Sequence, residues 1–157
     1  MTTATQTPVK ATWPITKVQE QAARIAASNL SAAFQILSKH GEESVNEFKA
    51  AVRKFKVAHL KEVGVKTPLE LANAVAEIEA NVFGSQITIS GDEKAATLTY
   101  QTCAMWNAMQ KLNNFTPAEQ EKMGAGFQTC MQDLANEFGF KANVQMAGQT
   151  CSVTFNK

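Results

Sequence analysis

Three cysteines, Cys103, Cys130 and Cys151, are the residues of this 157-residue chain best suited to chemistry. Soft thiolate ligands select zinc, copper(I) or iron–sulfur clusters. Catalytic zinc keeps three protein ligands and one open position. A cubane cluster on three thiolates likewise leaves one iron open, although clusters are commonly held by four. A closed structural zinc would need a fourth ligand. His40 and His59 lie in early helical stretches at surface-like positions and read as solvated residues. The number of cysteines is odd and none forms a CxxC pair, which argues against a secreted disulfide framework and for reduced thiols in the cytoplasm. Cysteine is also among the most buried residue types and serves as a small apolar side chain. The residues alone therefore leave two readings open: inert core thiols, or one shared metal or redox site.

Each cysteine needs an element to place it. "CSVTF" alternates, so Cys151, Val153 and Phe155 share one side of a strand, the core side. Cys130 lies three residues after Phe127 and just before Met131 and Leu134, which puts it on the apolar face of a helix. Cys103 sits where a strand ends and a helix begins. Free backbone N–H groups at a helix start favour an anion, and hence thiolate over thiol. Tyr100, three residues earlier, is the candidate catalytic residue, as a proton donor or acceptor; a packed sheet residue is the alternative.

The rest of the chain supplies the frame. Residues 1–14 are polar, lack the apolar stretch of a signal peptide and read as a loose tail. From Ile15 to about Ser38, Val18, Ala22, Ile25, Leu30, Phe34 and Leu37 recur at helical spacing, and Gly41 closes that helix. A second helix carries Val45, Phe48, Val52 and Phe55 on one side, with lysines and Arg53 opposite. After a break at Gly64, "TPLE" is a capping box with proline at the first helical position, opening a helix that turns Leu71, Val75, Ile78 and Val82 toward the core. Around Ser90-Gly91-Asp92-Glu93 two alternating segments form a hairpin, with Ile87 and Ile89 facing Leu98 and Tyr100. "AMWNAMQKL" is a short helix. "TPAE" at Thr116 to Glu119 opens a long helix ending near Gly139. Strands at about Lys141 to Met146 and Cys151 to Phe155, joined across Ala147-Gly148, close the chain. The fold class is α+β: N-terminal helices (15–83), then a small antiparallel sheet of two hairpins packed against a long helix (84–157), in one domain spanning 15–157.

Composition narrows the function. Apolar residues make up 45% and charged residues 18%, which excludes a disordered chain. With 15 basic against 14 acidic residues and no basic stripe interleaved with aromatics, nucleic acid is not an expected partner. No apolar run is long enough to span a bilayer, so a membrane is not expected either. Met105, Trp106 and Met109, with Met123, Met131 and Met146, either line an adaptable small-molecule pocket or fill the core. Asp133 and Glu137 read as a solvated helix face. Gly124 and Gly126 in the same helix mark a close approach or a kink. No Ser/His/Asp arrangement, P-loop or dinucleotide fingerprint is present.

The pieces "TYQTCAMW", "GAGFQTCMQDLANEFGF" and "GQTCSVTF" together resemble the L-2-amino-thiazoline-4-carboxylate hydrolase-like proteins, and more distantly the 4-vinyl-reductase domains, over residues 84 to 157. In that group a strand ends in cysteine, a second cysteine follows on a helix, and a third opens the last strand. Ala104 stands where the family tends to have proline, and Val153 replaces an aromatic. The resemblance implies a site on Cys103, Cys130 and Cys151 at the sheet–helix junction, and a namesake activity that opens a small sulfur heterocycle by hydrolysis. The expectation is a small cytoplasmic metalloprotein whose three cysteines hold an iron–sulfur cluster, or zinc, with one position open to a small molecule. The alternative is a ligand-binding or sensing domain without chemistry. Whether the chain is an enzyme, and whether it forms a homo-oligomer, the sequence leaves open.

Overall fold

The computed structural model describes residues 11–147 and 150–157; most of the expected N-terminal tail, and Gly148 of the expected last turn, lie outside the described residues. Helix α1 spans Ile15–Leu37 and is followed by a 3₁₀ turn at Ser38–His40. Helices α2 (Glu42–Glu62) and α3 (Pro68–Phe83) come next, then strands β1 (Gln86–Gly91) and β2 (Ala95–Thr102). Helices α4 (Ala104–Leu112) and α5 (Pro117–Asn136) lead to β3 (Lys141–Ala147) and β4 (Thr150–Asn156). The fold is α+β, with the helical part first and the sheet after it.

Both expected capping boxes form. Thr67 Oγ1 accepts from the Glu70 N–H at 3.2 Å while a Glu70 carboxylate oxygen accepts from the Thr67 N–H at 3.0 Å. Thr116 and Glu119 repeat the exchange at 3.3 and 2.8 Å. Each exchange satisfies two backbone donors that no helical carbonyl can reach. Thr67→Ala should therefore lower the stability of the chain by about 1 kcal/mol, read as a lower urea midpoint at unchanged slope.

The strands form one antiparallel sheet in the order β1-β2-β4-β3. Ile87 opposes Tyr100 and Ile89 opposes Leu98, as the alternation predicts. Tyr100 then opposes Cys151, which opposes Met146; Leu98, Val153 and Val144 form the next row, and Ala96, Phe155 and Ala142 the one after. These rows face the helices, and Leu98, Tyr100, Val153 and Phe155 are buried. The opposite face is polar, with Thr97 hydrogen-bonded to Thr154 at 2.9 Å and Thr99 to Ser152 at 3.0 Å.

The long helix α5 covers β3, as expected, but it does not cover the sheet alone: α3 lies over β1, β2 and β4. The core joins Leu71, Ala72, Val75 and Ala76 of α3 to Met131, Leu134 and Ala135 of α5, with Val57 and Leu60 of α2 beside them. The line α3 presents is thus Leu71, Ala72, Val75 and Ala76, whereas Val82 is exposed. Two alanines let the helix sit close to the sheet, and that rotates the buried stripe away from the one that the large residues alone would select. The same holds in α1, where Ala23 and Ala27 are the buried residues and Val18 and Ile25 are exposed. In α2, Val52 and Phe55 are exposed while Arg53, expected on the polar side, is half-buried and pairs with Asp133 of α5. Asp133 and Glu137 are therefore docking residues for α2; Glu137 lies 3.9 Å from the Arg53 guanidinium.

Candidate functional site

Strand β2 delivers Tyr100 to the helix side of the sheet and Cys103 to the first turn of α4. Cys103 is the N-cap of that helix, and the Trp106 N–H donates to its sulfur at 3.5 Å. Across the ladder, β4 places Cys151 directly beside Tyr100. From above, Phe127 of α5 meets the Tyr100 ring edge-on, with centroids 6.3 Å apart. Cys130 lies one turn further along that helix.

Tyr100 is the landmark among the three cysteines: Cys151 is its cross-strand partner, Cys103 follows it by three residues, and Cys130 lies on the helix whose Phe127 meets its ring. Its hydroxyl is held protonated far above the ordinary tyrosine range, first by burial and then by the charge of Glu79. Cys151 is pushed up to about 11, mainly by burial and secondarily by Cys103. Cys103 departs from the expected thiolate. Its helix-start N–H groups do pull its pKa down, but burial pushes it up more strongly, and Glu79 adds to the rise. A thiol, not a thiolate, caps α4. At neutral pH Tyr100 is likewise an uncharged proton carrier rather than a base.

Cys130 departs from expectation in position. It is exposed, while Cys103 and Cys151 are half-buried. The buried line of α5 runs through Met131, Leu134 and Ala135, with Phe127 packed against it. At about 100° per residue, Cys130 falls roughly a quarter turn from the middle of that line, at its solvent edge. The donor chemistry suits a soft metal. Among the described residues, however, no group of three or more His, Cys, Asp and Glu side chains is placed to hold a metal ion. For the three sulfurs to share one ion, Cys130 must come inward from its exposed flank.

Two residues of this region escaped the sequence reading. Glu79 occupies the buried line of α3, four residues after Val75 and three after Ala76, which puts a carboxyl between the helix and the sheet. Ser85, 5% exposed, donates its hydroxyl to the Glu79 carboxylate at 3.2 Å and accepts from the Ala104 N–H at 3.0 Å. The available signal was a charged residue in register with Leu71, Ala72, Val75 and Ala76; ranking Ile78 and Val82 above the alanines hid it.

Burial raises the Glu79 carboxyl above its ordinary 4.5, with Lys56 and Ser85 pulling the other way. The folded chain then binds that proton more tightly than the unfolded chain. This contribution to stability is complete below the ordinary carboxylate value and is lost as pH rises through the folded one. Glu79→Gln should therefore gain stability relative to the parent chain as pH goes from about 4.5 to neutrality, measured as the difference in urea midpoints. A difference that stays constant with pH would show that the carboxyl is not held protonated by the fold.

The sulfur-rich half is mostly packing. Met109 and Met131 are buried, Trp106 stacks on Phe115 at 6.1 Å, and Met146 is 59% exposed. Helix α5 continues through Gly124 and Gly126; a Cβ on Gly124 would meet only the Met146 methyl, at 3.9 Å. An open hollow of about 470 Å³ lies elsewhere, against α2, bounded by Ala50, Arg53, Val57, Lys61 and Glu137. His40 and His59 are exposed, as their positions predicted. No described helix is long and apolar enough to cross a membrane. No family model and no curated protein matches this chain.

Proposed function

We propose that the chain works through the three cysteines around Tyr100, as a cytoplasmic centre that binds a small molecule, its thiols holding a soft metal or an iron–sulfur cluster. The observation that carries this reading is that three separate elements bring Cys103, Cys130 and Cys151 to the neighbourhood of one buried tyrosine, with Cys151 directly across the ladder from it. The resemblance of the C-terminal half to the thiazoline-carboxylate hydrolase-like proteins agrees with this reading and suggests a small sulfur heterocycle as the ligand. Loading must displace protons from Cys103 and Cys151, so it should strengthen as pH rises. A bound metal would supply Lewis acidity or an electron; the neutral Tyr100 hydroxyl would supply a hydrogen bond to the ligand.

The test is elemental analysis and absorption of anaerobically purified chain, with Cys103→Ser, Cys130→Ala and Cys151→Ser alongside. Near-stoichiometric iron with sulfide, or zinc, lost in all three variants, supports the centre. Full metal content in Cys130→Ala sinks the three-thiol form. Metal-free protein whose thiols are alkylated independently favours a second reading, a metal-free binding or sensing domain. One observation speaks for that second reading: Cys130 stands exposed on the flank of α5, whereas Cys103 and Cys151 are half-buried.

A further inference from the structure

Helix α4 begins with an unusual cap. N-cap positions favour Ser, Thr, Asp or Asn, whose oxygens accept well from the first-turn N–H groups. Here the cap is a thiol, a weaker acceptor, with its sulfur 3.5 Å from the Trp106 nitrogen. The Ala104 N–H, at the first helical position, has no helical carbonyl within reach. Ser85 Oγ takes it, at 3.0 Å.

Ser85 is itself tightly held. It is the one buried polar residue among the described residues. Its backbone N–H donates to the Glu79 carbonyl at 3.0 Å and its hydroxyl to the Glu79 carboxylate at 3.2 Å. With the hydroxyl proton committed to Glu79, an oxygen lone pair remains for Ala104. The end of α3 that carries Glu79 is fixed in turn from α1, because the Gln19 amide donates to the Ala80 and Asn81 carbonyls at 3.1 and 3.2 Å. A chain of contacts thus runs from α1 through the end of α3 to the residue that follows Cys103.

We propose that Ser85 and Glu79 are positioning residues for Cys103: the serine hydroxyl, oriented by the carboxylate, pins the first turn of α4 and so fixes where the thiol stands beside Tyr100 and Cys151. This rests on reading Cys103 as a site residue, yet it concerns geometry that exists whether or not a metal binds. Metal analysis can fail while the positioning result holds, and the reverse is equally open.

The experiment is native alkylation of the full-length chain by iodoacetamide, resolved per cysteine by mass spectrometry, well below the melting temperature. Cys130 and Cys151 serve as internal references. Ser85→Ala should speed labelling of Cys103 roughly fivefold, the size of one lost hydrogen bond, and leave the other two unchanged. Glu79→Ala should do the same. Glu79→Gln keeps an acceptor for the hydroxyl and, with every rate referred to the thiolate population read from that variant's own pH–rate profile, should restore the parent rate, a rescue that a merely structural loss would not show. If Ser85→Ala does not fold, the Glu79→Ala and Glu79→Gln pair carries the test, with hydrogen exchange at the Ala104 amide as second readout. Cys103 labelling within about twofold of the parent in the alanine variants, or all three thiols accelerating together, would overturn the proposal.

Discussion

Phe155→Ala is expected to remove about 4 kcal/mol of stability, a large share of what a chain of this size has to lose. Phe155 is fully buried on β4, and its cross-strand neighbours are Ala96 on β2 and Ala142 on β3. Small residues on both sides make the room that the ring fills. Neither alanine can extend into the hole left by truncation, so the cavity term adds to the lost transfer term with little relief. Phe155→Leu keeps most of the volume and should cost only about 1.5 kcal/mol. Urea unfolding followed by circular dichroism, at constant slope, gives both numbers. The alanine variant should also label faster at Cys151, four residues back on the same strand and next to Tyr100. A loss near that of Phe155→Leu would mean that the sheet and helices close the gap, and that this row is not the rigid floor beneath the thiols.

The elements were legible in the sequence because their punctuation is chemical. Thr67 and Thr116 announce two helix starts through side chains that must accept backbone protons. The alternation of Ile87, Ile89, Leu98 and Tyr100 puts the four on one face of a hairpin, as found; the turn decides that Ile87 meets Tyr100 and Ile89 meets Leu98. Which line of each helix turns inward was less legible. Hydropathy ranks isoleucine and valine above alanine, yet the contact lines of α1 and α3 run through Ala23, Ala27, Ala72 and Ala76, where small side chains permit close approach. Choosing by size misplaced Val18, Ile25 and Val82, and it also concealed Glu79.

The site was legible to the same depth. The alternation of the last strand puts Cys151 on the core side, and the strand-to-helix junction puts Cys103 close after Tyr100; that β4 pairs with β2 and so sets Cys151 opposite Tyr100 was not legible, because alternation gives a face and not a partner strand. Cys130 depended on the rotation of α5, which its own pattern leaves loose by a quarter turn; the helix settles with Met131 and Leu134 inward and the thiol at the edge. The ionisation of Cys103 was misjudged for another reason. Helix-start N–H groups are visible in sequence, whereas the burial that outweighs them comes from tertiary packing, and the carboxyl that adds to it from α3, 24 residues earlier in the chain. A local motif states one contribution to a pKa; the fold supplies the others.

Gly91→Ala is the second large effect, and it tests the register that brings Tyr100 to the site. Gly91 closes the β1–β2 hairpin opposite Ala96, with φ at 115°. The Asp92 N–H donates to the Ala95 carbonyl at 2.8 Å, and the Asp92 carboxylate accepts from the Lys94 and Ala95 N–H groups at 2.8 and 3.1 Å. A Cβ on Gly91 would stand 2.2 Å from that same Ala95 oxygen and 2.8 Å from the Ala96 Cα. Both are backbone atoms, so no side chain can swing aside to make room. Alanine in place of glycine ordinarily gains up to about 1 kcal/mol by restricting the unfolded chain, but here the collision and the φ strain should win by about 3 kcal/mol. Gly64→Ala is the control: φ is 88°, nothing lies within 4 Å, and only the strain of about 1 kcal/mol remains. If the hairpin escapes by slipping one residue, Ile87 and Ile89 of the edge strand turn to the polar face, and Tyr100, still held by β4, loses the cover that Ile87 gives it. Gly91→Ala should therefore expose Cys103 and Cys151 together to alkylation, whereas Gly64→Ala leaves both slow. Equal losses of stability in the two variants, with unchanged labelling, would show that the turn tolerates a side chain and that something other than this hairpin sets the position of Tyr100.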